Sequence, residues 1–122
     1  MKLMIVDDSL VIRNKIGRCL LNRFSKIYRA NDGVQAIEIA RKKNPEIVTM
    51  DLTMPNMGGV ETVEALLEFA PETGILVVSA LADKATAIEA LTKGANGFLC
   101  KPFTEKELDN AIERVISMRT KQ

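Results

Sequence analysis

The sequence contains no histidine and no tryptophan, and its 122 residues include only two cysteines, Cys19 and Cys100. Without histidine the chain cannot build a Ser-His-Asp or Cys-His nucleophile system, a His-ligated metal, or a phosphohistidine of its own. Two cysteines make neither a disulfide framework nor a zinc site. Net charge is nearly absent too, at +1, whereas nucleic-acid binders usually carry a clear basic excess, so no nucleic-acid partner is expected. Long apolar runs are missing. The longest uncharged, mostly apolar stretch, Ile75 to Ala82, has eight residues, against about 20 for a membrane span. The opening MKLMIVDD sets two acids where a signal peptide would carry its apolar segment, so a cytoplasmic protein without membrane insertion is expected.

What is present is globular in character. A hydrophobic content of 47% with 27% charged residues is too apolar for disorder. No repeat, linker or low-complexity segment divides the chain, so residues 1–122 are expected to form one domain around a single core. A short apolar run followed by an amphipathic segment recurs five times. The runs are Lys2 to Val6, Ile27 to Ala30, Glu46 to Met50, Gly74 to Val78 and Gly97 to Cys100. Helical spacing links Ile12, Ile16, Cys19 and Leu20, then Ile37 and Ala40, then Val60, Val63, Leu66, Leu67 and Ala70. A fourth helix is marked by Ile88 and Leu91, and a fifth by Leu108, Ile112, Val115 and Ile116.

The punctuation agrees. Ser9 is a candidate N-cap, Asn31-Asp32-Gly33 a turn, Asn44-Pro45 and Pro71 helix stops, and Gly94 a C-cap. Thr104 with Glu107 is a capping box. This is an α/β, (βα)5 pattern. Short connections between alternating strands and helices imply a doubly wound, five-stranded parallel sheet with helices on both faces. Right-handed crossovers favour the flavodoxin-like strand order 2-1-3-4-5, with the ligand site outside the C-terminal strand ends.

Those strand ends carry the chemistry. Strand one ends in Asp7-Asp8, strand three in Asp51, strand four in Ser79 and strand five in Lys101. The expected order sets these four strands side by side. Crowded carboxylates repel one another and favour a cation nearby. An all-oxygen donor set suits Mg²⁺, which commonly bridges to phosphate. Lys101 can neutralise a phosphoryl oxygen, Ser79 can donate to another, and one carboxylate can attack phosphorus to form an aspartyl phosphate.

Asp7-Asp8, the run Asp51-Leu52-Thr53-Met54-Pro55 with Gly58-Gly59, Ser79-Ala80 and Lys101-Pro102-Phe103 resemble the receiver domain of bacterial response regulators. The resemblance extends from about Met1 to Ser117 and is nearest to stand-alone, chemotaxis-type receivers without an output domain. It implies Asp51 as phosphoacceptor, and Mg²⁺ held by Asp8, Asp51 and the backbone carbonyl of Thr53, with Asp7 acting mainly through water. It further implies Lys101 bonded to Asp51 at rest and contacting the phosphoryl group later, a Ser79–Phe98 switch pair, and a cis Lys101-Pro102 peptide. The function implied is a phosphorylation-controlled binding switch of a two-component system rather than a turnover enzyme. The donor would be a CheA-like sensor histidine kinase. The output would be a protein such as a flagellar motor switch component, engaged by a monomer through helix four, strand five and helix five. Phosphorelay transfer and control of another enzyme are the alternatives. A charge-assisted hydrogen bond of roughly 1.5–3 kcal/mol would bias such a switch about tenfold to somewhat over a hundredfold.

Plainer readings stand beside these. By itself Phe98 reads as a core residue of a short central strand. Cys19 reads as a buried thiol, and Cys100 as an inert strand cysteine. Lys84, Lys93, Lys106 and Lys121 read as solvated surface, with the face around Lys93, Asn96 and Lys106 a weaker candidate for docking. Thr53 and Leu81 supply neither the amide nor the acid that could position an attacking water, so slow self-dephosphorylation is expected. A haloacid-dehalogenase-like phosphatase would need a second acid two residues after Asp51, where Thr53 stands. A flavodoxin-type carrier would place its phosphate after strand one, where Asp7 and Asp8 would repel it. A binding module with a dead site sits poorly with a complete acid, hydroxyl and lysine set.

Overall fold

The computed structural model describes residues 1–120, with the side chains of Leu81 and Thr120 outside that description. Lys121 lies outside the described residues, as does what the Leu81 side chain borders. The elements are β1 (Lys2–Val6), α1 (Leu10–Leu20), β2 (Lys26–Ala30), α2 (Gly33–Lys43), β3 (Ile47–Met50), α3 (Gly59–Phe69), β4 (Gly74–Ala80), a 3-10 turn (Leu81–Asp83), α4 (Lys84–Thr92), β5 (Gly97–Lys101) and α5 (Glu105–Thr120). The five strands form one parallel sheet in the order β2-β1-β3-β4-β5. The expected doubly wound fold is therefore the observed one.

Alternate residues of the inner strands feed two separate cores. Met4, Val6, Val48, Met50, Ile75 and Val77 face Ala36, Ala40, Val63, Leu66, Ala87 and Ala90 of α2, α3 and α4. Leu3, Ile5, Ile47, Leu76 and Val78 face Ile16, Leu20, Leu108, Ile112 and Val115 of α1 and α5. Right-handed crossovers require this division, because the chain reverses its direction across the sheet after β2. Strands covered on both faces read as continuous apolar runs, as β1, β3 and β4 do.

The helix ends follow the sequence signals. Ser9 Oγ accepts from Ile12 N at 3.3 Å, and Asp32 Oδ1 from Gln35 N at 2.8 Å. The capping box forms in both directions: Thr104 N donates to Glu107 Oε1 at 2.9 Å and Glu107 N to Thr104 Oγ1 at 3.1 Å. Asn44 ends α2 in the left-handed conformation, and Gly94, with φ of +119°, follows α4.

Three readings are corrected. Ile88 and Leu91 do not seat α4: they are 55% and 39% exposed, and the helix rests on Ala87 and Ala90. Alanines three residues apart let the helix backbone approach the sheet closely and leave the larger side chains pointing outward. Phe98 lies on the edge strand β5 and is only partly buried, packed against the α2–α3–α4 core. Cys19 is half-buried at the margin of the α1–α5 core, with burial, and next Glu105, pushing its thiol pKa up.

Candidate functional site

Strand register brings the predicted residues together. Val6 pairs with Met50 and Met50 with Val77, so β1, β3 and β4 end at one level, while Ala80 pairs with Lys101. Asp51 N continues the ladder to Val6 O at 2.9 Å, and Asp7 N to Ala30 O at 3.1 Å. Asp7, Asp8 and Asp51 each offer a carboxylate oxygen within 4.8 Å of the others. Asp7 is 1% and Asp51 5% exposed, whereas Asp8 opens to solvent.

Close packing of the chain behind Asp51 sets its position. Gly59, at the start of α3, lies so near that a Cβ there would stand 2.6 Å from the Asp51 carbonyl oxygen and 2.6 Å from Leu52 Cα. Gly59 N donates to Leu52 O at 3.1 Å. Further along the loop Asn56, with φ of 70°, donates from Nδ2 to Asp32 Oδ2 at 2.8 Å and pins the segment to the head of α2.

Charge in the cluster is unequally matched. Lys101 Nζ donates to Asp7 Oδ2 at 2.8 Å and stands 3.5 Å from Asp51 Oδ1. The expected resting contact of Lys101 with Asp51 is present as an ion pair at 3.5 Å, and Lys101 in addition gives a shorter hydrogen bond to the deeper Asp7. Asp7 Oδ1 meanwhile accepts from Ser9 N at 2.9 Å, so both Asp7 oxygens are engaged. Burial, and then the neighbouring Asp7 charge, push the Asp51 carboxyl up to about 6, although Lys101 and the Thr53 N–H act to lower it. Burial works against the Lys101 charge, but the Asp7 hydrogen bond and the Asp51 charge outweigh it and raise its pKa. Three carboxylates facing one ammonium form a site short of positive charge, and an oxygen donor set of this kind fits Mg²⁺.

The hydroxyl side holds a residue the strand-end reading missed. Ser79 is fully buried, and its Oγ donates to Asp83 Oδ2 at 3.0 Å. Thr53 Oγ1 donates to the same oxygen at 3.2 Å. Asp83 lies beyond β4, at the end of the 3-10 turn, where an aspartate before a helix reads as an ordinary cap. Its spacing of four residues from Ser79 was the available signal. Phe98 pairs in register with Val77, two positions before Ser79, and Lys101-Pro102 is a cis peptide.

Comparison with known proteins places nearly the whole chain in a family. The response regulator receiver domain family is matched by residues 3–113. The chemotaxis protein CheY of Bacillus subtilis is 32% identical over 95% of this chain and 98% of its own. The transcriptional regulatory protein DegU of Brevibacillus brevis is 33% identical over 93% of this chain but only 48% of its own. Among solved structures, Vibrio cholerae chemotaxis protein CheY4 superposes with a TM-score of 0.86 at 31% identity, covering 93% of this chain and 97% of that one. The chain belongs to the response regulator receiver domains, the phosphorylation switches of two-component signalling. Receiver domains are phosphorylated by histidine kinases and bind Mg²⁺ at an acidic pocket, and Asp7, Asp8 and Asp51 form a cluster that could hold a metal ion. Among the described residues no helix is long and apolar enough to cross a membrane.

Proposed function

We propose that the chain works as a single receiver domain over residues 1–122, phosphorylated on Asp51 and read out through a changed α4–β5–α5 face. The observation that carries this is the buried Asp51 carboxylate at the end of the central strand, 3.5 Å from Lys101 and beside Asp7 and Asp8. An Asp51 oxygen attacks phosphorus, the new O–P bond forming as the donor's N–P bond breaks. The donor imidazole leaves with the electron pair. Asp8, Asp51 and the Thr53 carbonyl would hold Mg²⁺ directly, and the ion would supply neutralising charge for the phosphoryl oxygens. Asp7, each of whose oxygens already accepts one hydrogen bond, would act mainly through water. Lys101 orients and neutralises one phosphoryl oxygen, and Ser79 donates to another. Ser79's movement then frees space for Phe98, which packs at the margin of the α2–α3–α4 core.

On this reading the protein is a cytoplasmic monomer that assists its own phosphorylation and dephosphorylation without turning over small substrates. The CheY likeness, over nearly the full length of both chains, supports a CheA-like kinase as donor and a motor switch protein as target. The DegU likeness supports a role outside chemotaxis equally in identity but through half of that protein's length. Intact mass after incubation with acetyl phosphate tests the reading. One phosphoryl adduct is expected, dependent on Mg²⁺ and absent from Asp51→Asn. An unchanged mass without phosphate release would refute it.

A further inference from the structure

We propose that Asp83 is a positioning residue, a latch that holds the Ser79 hydroxyl in its resting place and must release it before a phosphoryl group on Asp51 can be bound. The proposal rests on the reading of Asp51 as phosphoacceptor. Asp83 is the N-cap residue of α4, yet its side chain makes no capping hydrogen bond. The usual task of an aspartate at that position is therefore not what holds it. Its Oδ2 instead collects two hydroxyls from different parts of the chain, Ser79 at 3.0 Å and Thr53 at 3.2 Å.

Proton counting makes these contacts exclusive. A hydroxyl has one proton to give. Donated to Asp83, the Ser79 proton is not available to a phosphoryl oxygen. A carboxylate and a phosphoryl group carry the same sign of charge and seek the same donors, so Asp83 competes with the phosphoryl group rather than assisting it. Ser79 is wholly buried and has no solvent to turn to, whereas Asp83 is half-buried at the surface end of the turn and can be hydrated once released. Release of the latch also frees the head of α4, because Asp83 ends the turn from which that helix starts. Asp83 thereby ties the state of Asp51 to α4 through Ser79.

The test is a double-mutant cycle read by calorimetric titration with beryllium fluoride in the presence of Mg²⁺. Asp83→Asn should bind on the order of tenfold tighter than the unaltered protein, since a charged acceptor is exchanged for a neutral one. In a Ser79→Ala background the same substitution should bring no gain. Asp83→Ala, which forfeits no cap bond, should repeat the pattern if Asp83→Asn folds poorly. No tightening in either variant, or a gain that persists in full without the Ser79 hydroxyl, would overturn the latch. Charge repulsion alone would give the second result. Failure of the unaltered protein to bind beryllium fluoride would instead refute the Asp51 reading beneath it.

Discussion

Lys101 gives its short hydrogen bond to Asp7, at 2.8 Å, so the one ammonium of the cluster is fastened to its most buried carboxylate. That bond gives the buried Asp7 the closer share of the Lys101 charge and leaves Asp51, 3.5 Å from the ammonium, less well compensated. Lys101→Met should therefore destabilise the fold at pH 7 by about 2–4 kcal/mol, because a buried carboxylate loses its partner. Added Mg²⁺ should recover part of the loss. Urea denaturation with chelator and with Mg²⁺ measures both, and a variant as stable as the parent would contradict the assignment.

Asp51 has the opposite sign. Its carboxyl titrates near 6 in the fold against 3.8 ordinarily, so between those values the native state holds more protons than the unfolded chain. Stability from this group is fully present below about 3.8 and is lost as pH rises through about 6. Asp51→Asn should consequently be more stable than the parent at pH 7 without Mg²⁺, by about 3 kcal/mol. The difference should vanish as pH falls toward 4. Paired melting curves across that range decide it.

Gly59→Ala places a methyl group against the Asp51 carbonyl and Leu52 Cα, both 2.6 Å away and both backbone. Neither can step aside as a side chain could, so a loss of about 1–3 kcal/mol is expected. Acetyl phosphate labelling should fall with it, since the displaced segment carries Asp51. Unaltered stability and labelling together would show that α3 can back away freely.

The seating of α4 predicts a contrast within one helix. Ile88→Glu should change stability by no more than about 0.5 kcal/mol, whereas Ala87→Leu should cost about 1–3 kcal/mol by overpacking. Denaturant midpoints of the two variants should differ accordingly. Equal midpoints would mean that the buried face of α4 has been misassigned.

The sheet and its site were legible because their signals are redundant. Asp7, Asp8, Asp51, Ser79 and Lys101 each follow an apolar run, and a parallel order makes such ends converge whatever the details of packing. Where one side chain had to be weighed against another, the sequence was a poorer guide. Ile88 and Leu91 are more hydrophobic than Ala87 and Ala90, but closeness of approach decided which pair went inside. Asp83 looks like any helix cap, and only the three-dimensional meeting of Thr53 with Ser79 shows where its carboxylate is used. The preference of Lys101 for Asp7 over Asp51 depends on relative depth, which no spacing encodes.

The sheet walls off two apolar compartments, and β5 has a residue in each: Phe98 against the α2–α3–α4 side and Leu99 against the α1–α5 side. A repacking within α3 stays on one side of that wall. A shift of β5 does not, because consecutive residues of the strand carry it into both. The edge strand that ends in Lys101 is thus one mechanical route by which a charge gained at the strand ends can be registered on both faces of the molecule at once.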